Sequence, residues 1–192
     1  MCIAPDGFVF VADFGNHRVQ VLTPDLDFHC FIGHGGLDSP FSVCANADVV
    51  VVSALWDHSL AVFNRGDGAR VRRFGCQGSG AGELVDPCGL CFMSDRHVAV
   101  TEEGNHRVSV FSIDGEFIRH VGVGVLRGPQ GVACSAFDEL VVADTRNRCL
   151  RVFSTAGDLL ANVGDGYFSG VVVRGSTLFA ADADEGTVSV FL

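Results

Sequence analysis

Apolar runs in this chain are followed by four to six polar residues and then by strict alternation of apolar and polar positions. Val19 and Val21 alternate with Arg18 and Gln20, and Val108 and Val110 alternate with Arg107 and Ser109. A period of two sends one row of side chains to each face of a strand, which a helix of period 3.6 does not do. Each such unit predicts a β-hairpin. The unit at 11–22 recurs almost intact at 100–111, more weakly at 142–153 and 180–191, and in divergent form at 52–63. Aligning Asp13, Ala54, Glu102, Asp144 and Asp182 gives steps of 41, 48, 42 and 38 residues. Repeats of that length are propeller blades or solenoid turns, and four short strands fit each one.

In the first repeat the pattern predicts strands at 1–4, 8–13, 18–22 and 28–32, separated by Pro5-Asp6-Gly7, Gly15-Asn16 and Pro24-Asp25. The second runs from Pro40 through 49–53 and 60–63 to 70–74. The link at 74–87 carries four glycines, where a chain crossing between blades needs positive φ. A phosphate loop is the rival for this stretch, and it fails because no Lys-Ser or Lys-Thr follows and no helix opens. The expected fold is all-β, a β-propeller of four-stranded blades at about 1–33, 40–75, 87–122, 129–164 and 169–192. The fifth of these repeats reaches only its third strand.

With 48% hydrophobic residues among 192, the chain can bury a sizeable core, and 24 glycines supply its turns. No apolar stretch approaches the roughly 20 residues of a membrane-spanning helix, and Val49-Val50-Val51-Val52 reads as a buried strand. Met1-Cys2-Ile3-Ala4 enters a repeat with no basic segment ahead of it, so no secretory signal is read. A cytoplasmic protein, or a piece of a larger chain, is expected. The formal charge is −10, from 23 acidic residues against 13 arginines and no lysine. That balance argues against nucleic acid, whose phosphates need concentrated positive charge. Arg70, Arg72 and Arg73 form the densest basic run, assigned to a solvated strand face. Cys88 and Cys91, among eight cysteines, have the spacing of a zinc knuckle. They stand where other repeats carry Gln130 and Ala133, so small buried hydrophobes with reduced thiols are expected.

The residues Phe74-Gly75, Gly82-Glu83-Leu84, Pro87 with Gly89, Asn105-His106-Arg107-Val108 with Val110-Phe111, and Asp114-Gly115-Glu116-Phe117 resemble the NHL repeat, named for its Asn-His-Leu triplet. The first, third and fourth repeats carry the likeness. The second has Asp57-His58-Ser59 at the triplet, and the fifth has Glu185-Gly186-Thr187. The resemblance implies a β-propeller, usually of six blades, so one strand and one blade lie beyond those counted here. An unclosed arc would leave two sheet edges open, and flanking domains in a larger gene product are expected. The resemblance further implies a protein-interaction module, often the substrate-recognition part of a ubiquitin ligase beside RING or B-box zinc modules, or an RNA-binding domain. Related propellers also include lactonases and amidating lyases with a divalent metal in the central channel.

If strands alternate in direction, the tips between second and third strands emerge on the same face as the links between blades. That face gathers 14–18, 55–59, 103–107, 145–149 and 183–187 and is expected to hold a protein partner. Arg18, Arg107 and Arg148 are candidate ligand donors there, with Arg146 beside them. The competing role for Arg18 and Arg107 is a local ion pair with Asp13 and Glu102, next to Asx turns at Asn16 and Asn105. Trp56, the single tryptophan, either meets a partner or roofs the core. His58 shares its position with His17 and His106. Three equivalent histidines suggest a metal triad, but the NHL motif itself contains this residue and the expected role is to stabilise the turn. The first strands, such as Ser42-Val43-Cys44 and Gly131-Val132-Ala133, are small and apolar, whereas a channel metal wants Asp, Glu, His or Asn. No catalytic set, metal or cofactor is expected, and a channel enzyme is the alternative function.

Overall fold

A strand with one apolar row must cover that row, and here the sheets do so by stacking on one another. The computed structural model describes residues 1–94 and 96–192. Its first sheet is β1 (Cys2–Ile3), β2 (Val9–Asp13), β3 (Arg18–Leu22) and β4 (Phe28–Ile32). The second is β5 (Pro40–Ala45), β6 (Val49–Ala54), β7 (Ser59–Asn64) and β8 (Arg70–Phe74), and the third is β9 (Pro87–Phe92), β10 (His97–Glu102), β11 (Arg107–Ser112) and β12 (Phe117–Val121). The fourth is β13 (Val132–Cys134), β14 (Leu140–Asp144), β15 (Cys149–Phe153) and β16 (Leu159–Val163). The fifth has three strands, β17 (Phe168–Arg174), β18 (Thr177–Asp182) and β19 (Thr187–Phe191). Within each sheet every strand pairs antiparallel with its neighbour in sequence, and each first strand lies against the first strand of the next sheet, so the sheets are the blades of a β-propeller.

Four cores fill the spaces between successive blades. Phe10, Val19 and Val21 pack with Val50, Val52 and Phe63 of blade two. Val51, Leu60 and Val62 then meet Val98, Val100 and Phe111 of blade three, and the pattern continues with Val108 and Val110 against Leu140 and Val142, and with Val141 and Leu150 against Phe168 and Ala180. Each such buried side chain contributes about 1.5–3 kcal/mol. The period-two rows of the sequence are therefore two different interfaces, one for the preceding blade and one for the next. Buried hydroxyls add polar links: Ser53 donates to the Cys88 carbonyl oxygen (2.7 Å), and Thr101 donates to that of Gln130.

In blades one to four the third and fourth strands lose register at the same place, between Val21 and Leu22, Val62 and Phe63, Val110 and Phe111, and Val152 and Phe153. An irregularity there increases the twist of the outer strand. The structure departs from the sequence reading in three details. β1 is only two residues long. The tips of blades one and four are wound into single 3-10 turns at Phe14–Asn16 and Thr145–Asn147, whose Asn16 and Asn147 amides donate to the Asp13 and Asp144 carboxylates. Two arginines of β8 reach beyond their own blade: Arg70 donates to the Gly36 carbonyl oxygen (3.0 Å), and Arg72 to the Asp114 carbonyl (2.9 Å) and carboxylate (2.8 Å). No helix among the described residues is long and apolar enough to cross a membrane.

Candidate functional site at the hairpin tips

Each tip is assembled around an acid that ends the second strand. In blade three this is Glu102, fully buried, which accepts the Arg107 Nε–H (2.7 Å), the Asn105 amide (2.6 Å), the Val85 backbone N–H (3.1 Å) and the Ser109 hydroxyl. Arg107 spends its remaining donors on the carbonyl oxygens of Ser79 (2.7 Å) and Glu83 (3.1 Å). It is thus a buried fastener that holds the glycine-rich link onto the tip, where the sequence offered it as a ligand donor. The network runs on to His120, whose Nδ1 lies 2.9 Å from the Ser109 hydroxyl. Burial, then the nearby Arg107 charge, keeps the His120 pKa below its ordinary value.

Blade four repeats the device with a different arginine. Asp144 accepts the Arg127 backbone N–H (2.7 Å), the Asn147 amide (2.8 Å) and the Arg151 guanidinium. Arg151 stands two positions beyond Cys149, the cross-strand partner of Asp144, and so shares its face, within diagonal reach across the pair. Arg148 turns away and pairs with Asp184 of blade five (2.8 Å). In blade one Arg18 donates to Asp13 (3.0 Å) and lies 3.7 Å over the Phe31 ring. Arg18, with help from Asn16, holds the Asp13 carboxyl below its usual pKa.

The residue after each Asn position is left-handed: His17, His58, His106, Arg148 and Gly186 have φ of 53°, 48°, 56°, 57° and 64°. That backbone costs a residue with a Cβ roughly 1–2 kcal/mol. The three histidines offset it in the same way. Their Nδ1 atoms accept the backbone N–H of Ser39, Asp86 and Gly128, each at 3.1 Å, and so staple the three incoming links. His58 is one of these staples. Among the described residues no three His, Cys, Asp or Glu side chains gather into a group that could hold a metal ion.

What faces outward is a different set. Trp56 is 63% exposed and meets Phe14, itself 39% exposed, edge to face at 5.7 Å. The pair bridges the tips of blades one and two, so Trp56 does not roof the core. Arg146 is half-exposed and donates to Glu103 of blade three (2.9 Å). The structure therefore joins Trp56 to Phe14, Arg146 to Glu103 and Arg148 to Asp184, and these form no single cluster. Phe14 was missed from sequence; its signal was an aromatic residue at a tip position that is Glu103 in blade three and Thr145 in blade four.

The first strands enclose a cavity of about 730 Å³ lined by Cys2, Cys44, Cys91, Val132 and Val172. Burial pushes the Cys44 and Cys91 thiols well above their ordinary pKa and raises Cys2 to about 11. Cys88, buried behind the blade-three tip, is raised from 9.0 to about 12. Its thiolate, the reacting species, is therefore scarce at neutral pH. Maleimide labelling of the folded protein read by peptide mass spectrometry should modify exposed Cys76 first and leave Cys88 slower by at least ~100-fold. Comparable rates at the two would contradict this packing.

The NHL-repeat family profile matches residues 1–22 and 84–111. The chain is 47% identical over 49 residues to RING finger protein nhl-1 of Caenorhabditis elegans, a stretch that is 26% of this chain and 5% of that one. It thus spans about a twentieth of the length of this curated relative. Among solved structures, a chain from a nidogen/laminin complex superposes with a TM-score of 0.86 at 18% identity, over 98% of this chain and 74% of that chain. Catalytically inactive virginiamycin B lyase from Staphylococcus aureus, crystallised with quinupristin, gives 0.79 at 13% identity, over 100% and 65%. Such identities speak to the fold alone. The chain thus carries NHL repeats at residues 1–22 and 84–111, with Asn-His tips at Asn16-His17 and Asn105-His106, on a β-propeller fold.

Proposed function

We propose that this propeller is a protein-interaction module with no chemistry of its own, which docks a protein partner on its hairpin-tip face. In this reading it serves as the recognition part of a ubiquitin-ligase-type protein. The observation that carries the proposal is the exposed Trp56–Phe14 pair. Large aromatic rings each offer 150–250 Å² of contact area and are the residues on which binding energy concentrates. The tips that present them are fixed by the Asp13 and His17 bonds on one side and the His58 bond on the other, so little ordering entropy is lost on docking. The RING finger relative supports the same reading.

The test is to replace Trp56 and Phe14 by Ala, singly and together, and to compare retention of co-purifying proteins by cross-linking mass spectrometry. Both side chains lie outside the cores, so the melting temperature should hold within about 2 °C, while loss of a hot-spot aromatic should weaken capture roughly 30-fold. Retention unchanged in the double variant would move the docking face elsewhere.

A further inference from the structure

Blades two and three each send an arginine from the outer strand to the next blade. Arg72 and Arg119 stand opposite Val62 and Val110, at one and the same place in the repeat. Arg72 donates to the carbonyl oxygen (2.9 Å) and pairs with the carboxylate (2.8 Å) of Asp114, in the turn between the third and fourth strands of blade three. Arg119 donates to the Thr155 carbonyl oxygen (2.6 Å) in the same turn of blade four. The Nε atoms of both arginines are enclosed. Each turn is also seated in the same way: a Cβ on Gly115 or Gly157 would stand 3.0 Å from Phe74 or 3.4 Å from Val121, the last residues of the preceding outer strands.

The joint between blades one and two has this seat without the arginine. Cys30 stands opposite Val21, the place that Arg72 and Arg119 hold in their own blades. The facing turn is in position, since a Cβ on Gly68 would stand 3.5 Å from Ile32, the last residue of β4, and Asp67 precedes this glycine as Asp114 precedes Gly115. A thiol is too short to cross, and a pocket of about 520 Å³ opens between Cys30 and Asp67, with Asp6 and Arg65 in its wall. Arg65 does not replace the lost group. It springs from the turn itself and is spent on the Asp6 carboxylate and the Asn46 carbonyl oxygen (2.9 Å). Asp6 is thereby matched, whereas Asp67 has no cationic partner among the described residues. One Asp67 carboxylate oxygen accepts the Ala69 N–H (2.9 Å), and among the described residues no hydrogen bond falls on the Asp67 carbonyl oxygen.

We propose that this pocket binds a guanidinium group, the end of an arginine side chain on a ligand, in the place that Arg72 and Arg119 fill in the next two joints. The template is in the molecule itself: a guanidinium set against a carbonyl oxygen and the carboxylate of one turn residue, both of which Asp67 offers. A planar fork of N–H donors serves two such acceptors at once, whereas an ammonium is a point charge that does not match them in the same way. A formal charge of −10 favours the approach of a cation. Both walls come from four-stranded blades, and because strands alternate in direction the pocket opens on the face opposite the hairpin tips. The site is therefore separate from the tip-face reading, and either can fail without the other.

Alkylation of Cys30 by iodoacetamide, read by peptide mass spectrometry with exposed Cys76 as the internal reference, reports whether the pocket is filled. Nα-acetyl-arginine amide at about ten times its Kd should slow Cys30 about 10-fold and leave Cys76 unchanged. At the same concentration the citrulline analogue, of the same shape but uncharged, should not protect, and the lysine analogue should bind at least about 5-fold more weakly. Protection by the capped form alone would confine the ligand to arginine within a peptide chain, and protection by free arginine too would extend it to the amino acid; both outcomes support the site. Asp67→Asn keeps an acceptor for the Ala69 N–H and should weaken binding about 10-fold, whereas Asp114→Asn, in the turn that already holds Arg72, should not. Cys30→Arg should supply the group from within the chain, melting no lower than the unmodified protein and abolishing calorimetric binding of the arginine amide, which Cys30→Ala should retain. Equal protection by the arginine and citrulline analogues, protection by neither, or a Cys30→Arg chain that melts more than about 5 °C lower would overturn the proposal.

Discussion

Arg107→Ala should destabilise the chain by about 3–5 kcal/mol, because it strands the fully buried Glu102 carboxylate without its charge partner. At about 2–4 °C per kcal/mol for a domain of this size, the melting temperature should fall by roughly 10 °C. The same change also frees the carbonyl oxygens of Ser79 and Glu83, so the blade two to three link should become the first segment open to proteolysis. Arg18→Ala is the internal comparison. That ion pair joins the same positions of blade one but is partly solvated, and removing it should cost only about 1 kcal/mol. Replacing the blade-three pair together, as Glu102→Leu with Arg107→Met, should recover part of the loss but not all, since the Val85 N–H and the link carbonyls still lose their partners. Equal losses for Arg107→Ala and Arg18→Ala in chemical denaturation would mean that Glu102 is not buried in solution.

Gly89→Ala should cost about 2–6 kcal/mol although it adds one methyl group. Its Cβ would stand 2.3 Å from the Gln130 carbonyl oxygen and 3.1 Å from the Gly131 Cα and the Val132 nitrogen, all backbone atoms of the next blade. Backbone cannot swing aside as a side chain does, so the first strands of blades three and four must part. Overpacking of that kind costs about 1–3 kcal/mol, and loss of the inter-blade Gly89 N–H to Gln130 bond (3.0 Å) adds about 1–3 more. Gly15→Ala, where a Cβ meets nothing within 4 Å and φ is ordinary, should be nearly neutral. Paired thermal melts decide the matter: a melting temperature for Gly89→Ala near that of Gly15→Ala would mean that the blades are not held this closely.

Much of the architecture was legible before any coordinates. The strands at 28–32 and 70–74 lie where alternation put them, and the polar stretches between second and third strands are the tips. The candidate site was less legible. His17, His58 and His106 were equivalent on paper, but that their Nδ1 atoms accept link N–H groups depends on how the next blade's entry strand returns past the tip. Arg107 and Arg148 were both candidate ligand donors, one position apart in the repeat, yet one is sealed under a link and the other reaches across to Asp184. Arg151, the counterpart of Arg107, was hidden because its bond to Asp144 is diagonal across a strand pair and leaves no mark in the repeat alignment.

The amino-acid sequence by itself determined the strands, their repeat and the two-faced character of each sheet, because period two and turn chemistry are properties of neighbours along the chain. Only the tertiary structure decided which charged groups are fasteners and which rows remain uncovered. Glu102 and Phe179 sit at the same kinds of position as Asp13 and Val141, and what separates buried from exposed is whether another blade or link, tens of residues away, lies over them.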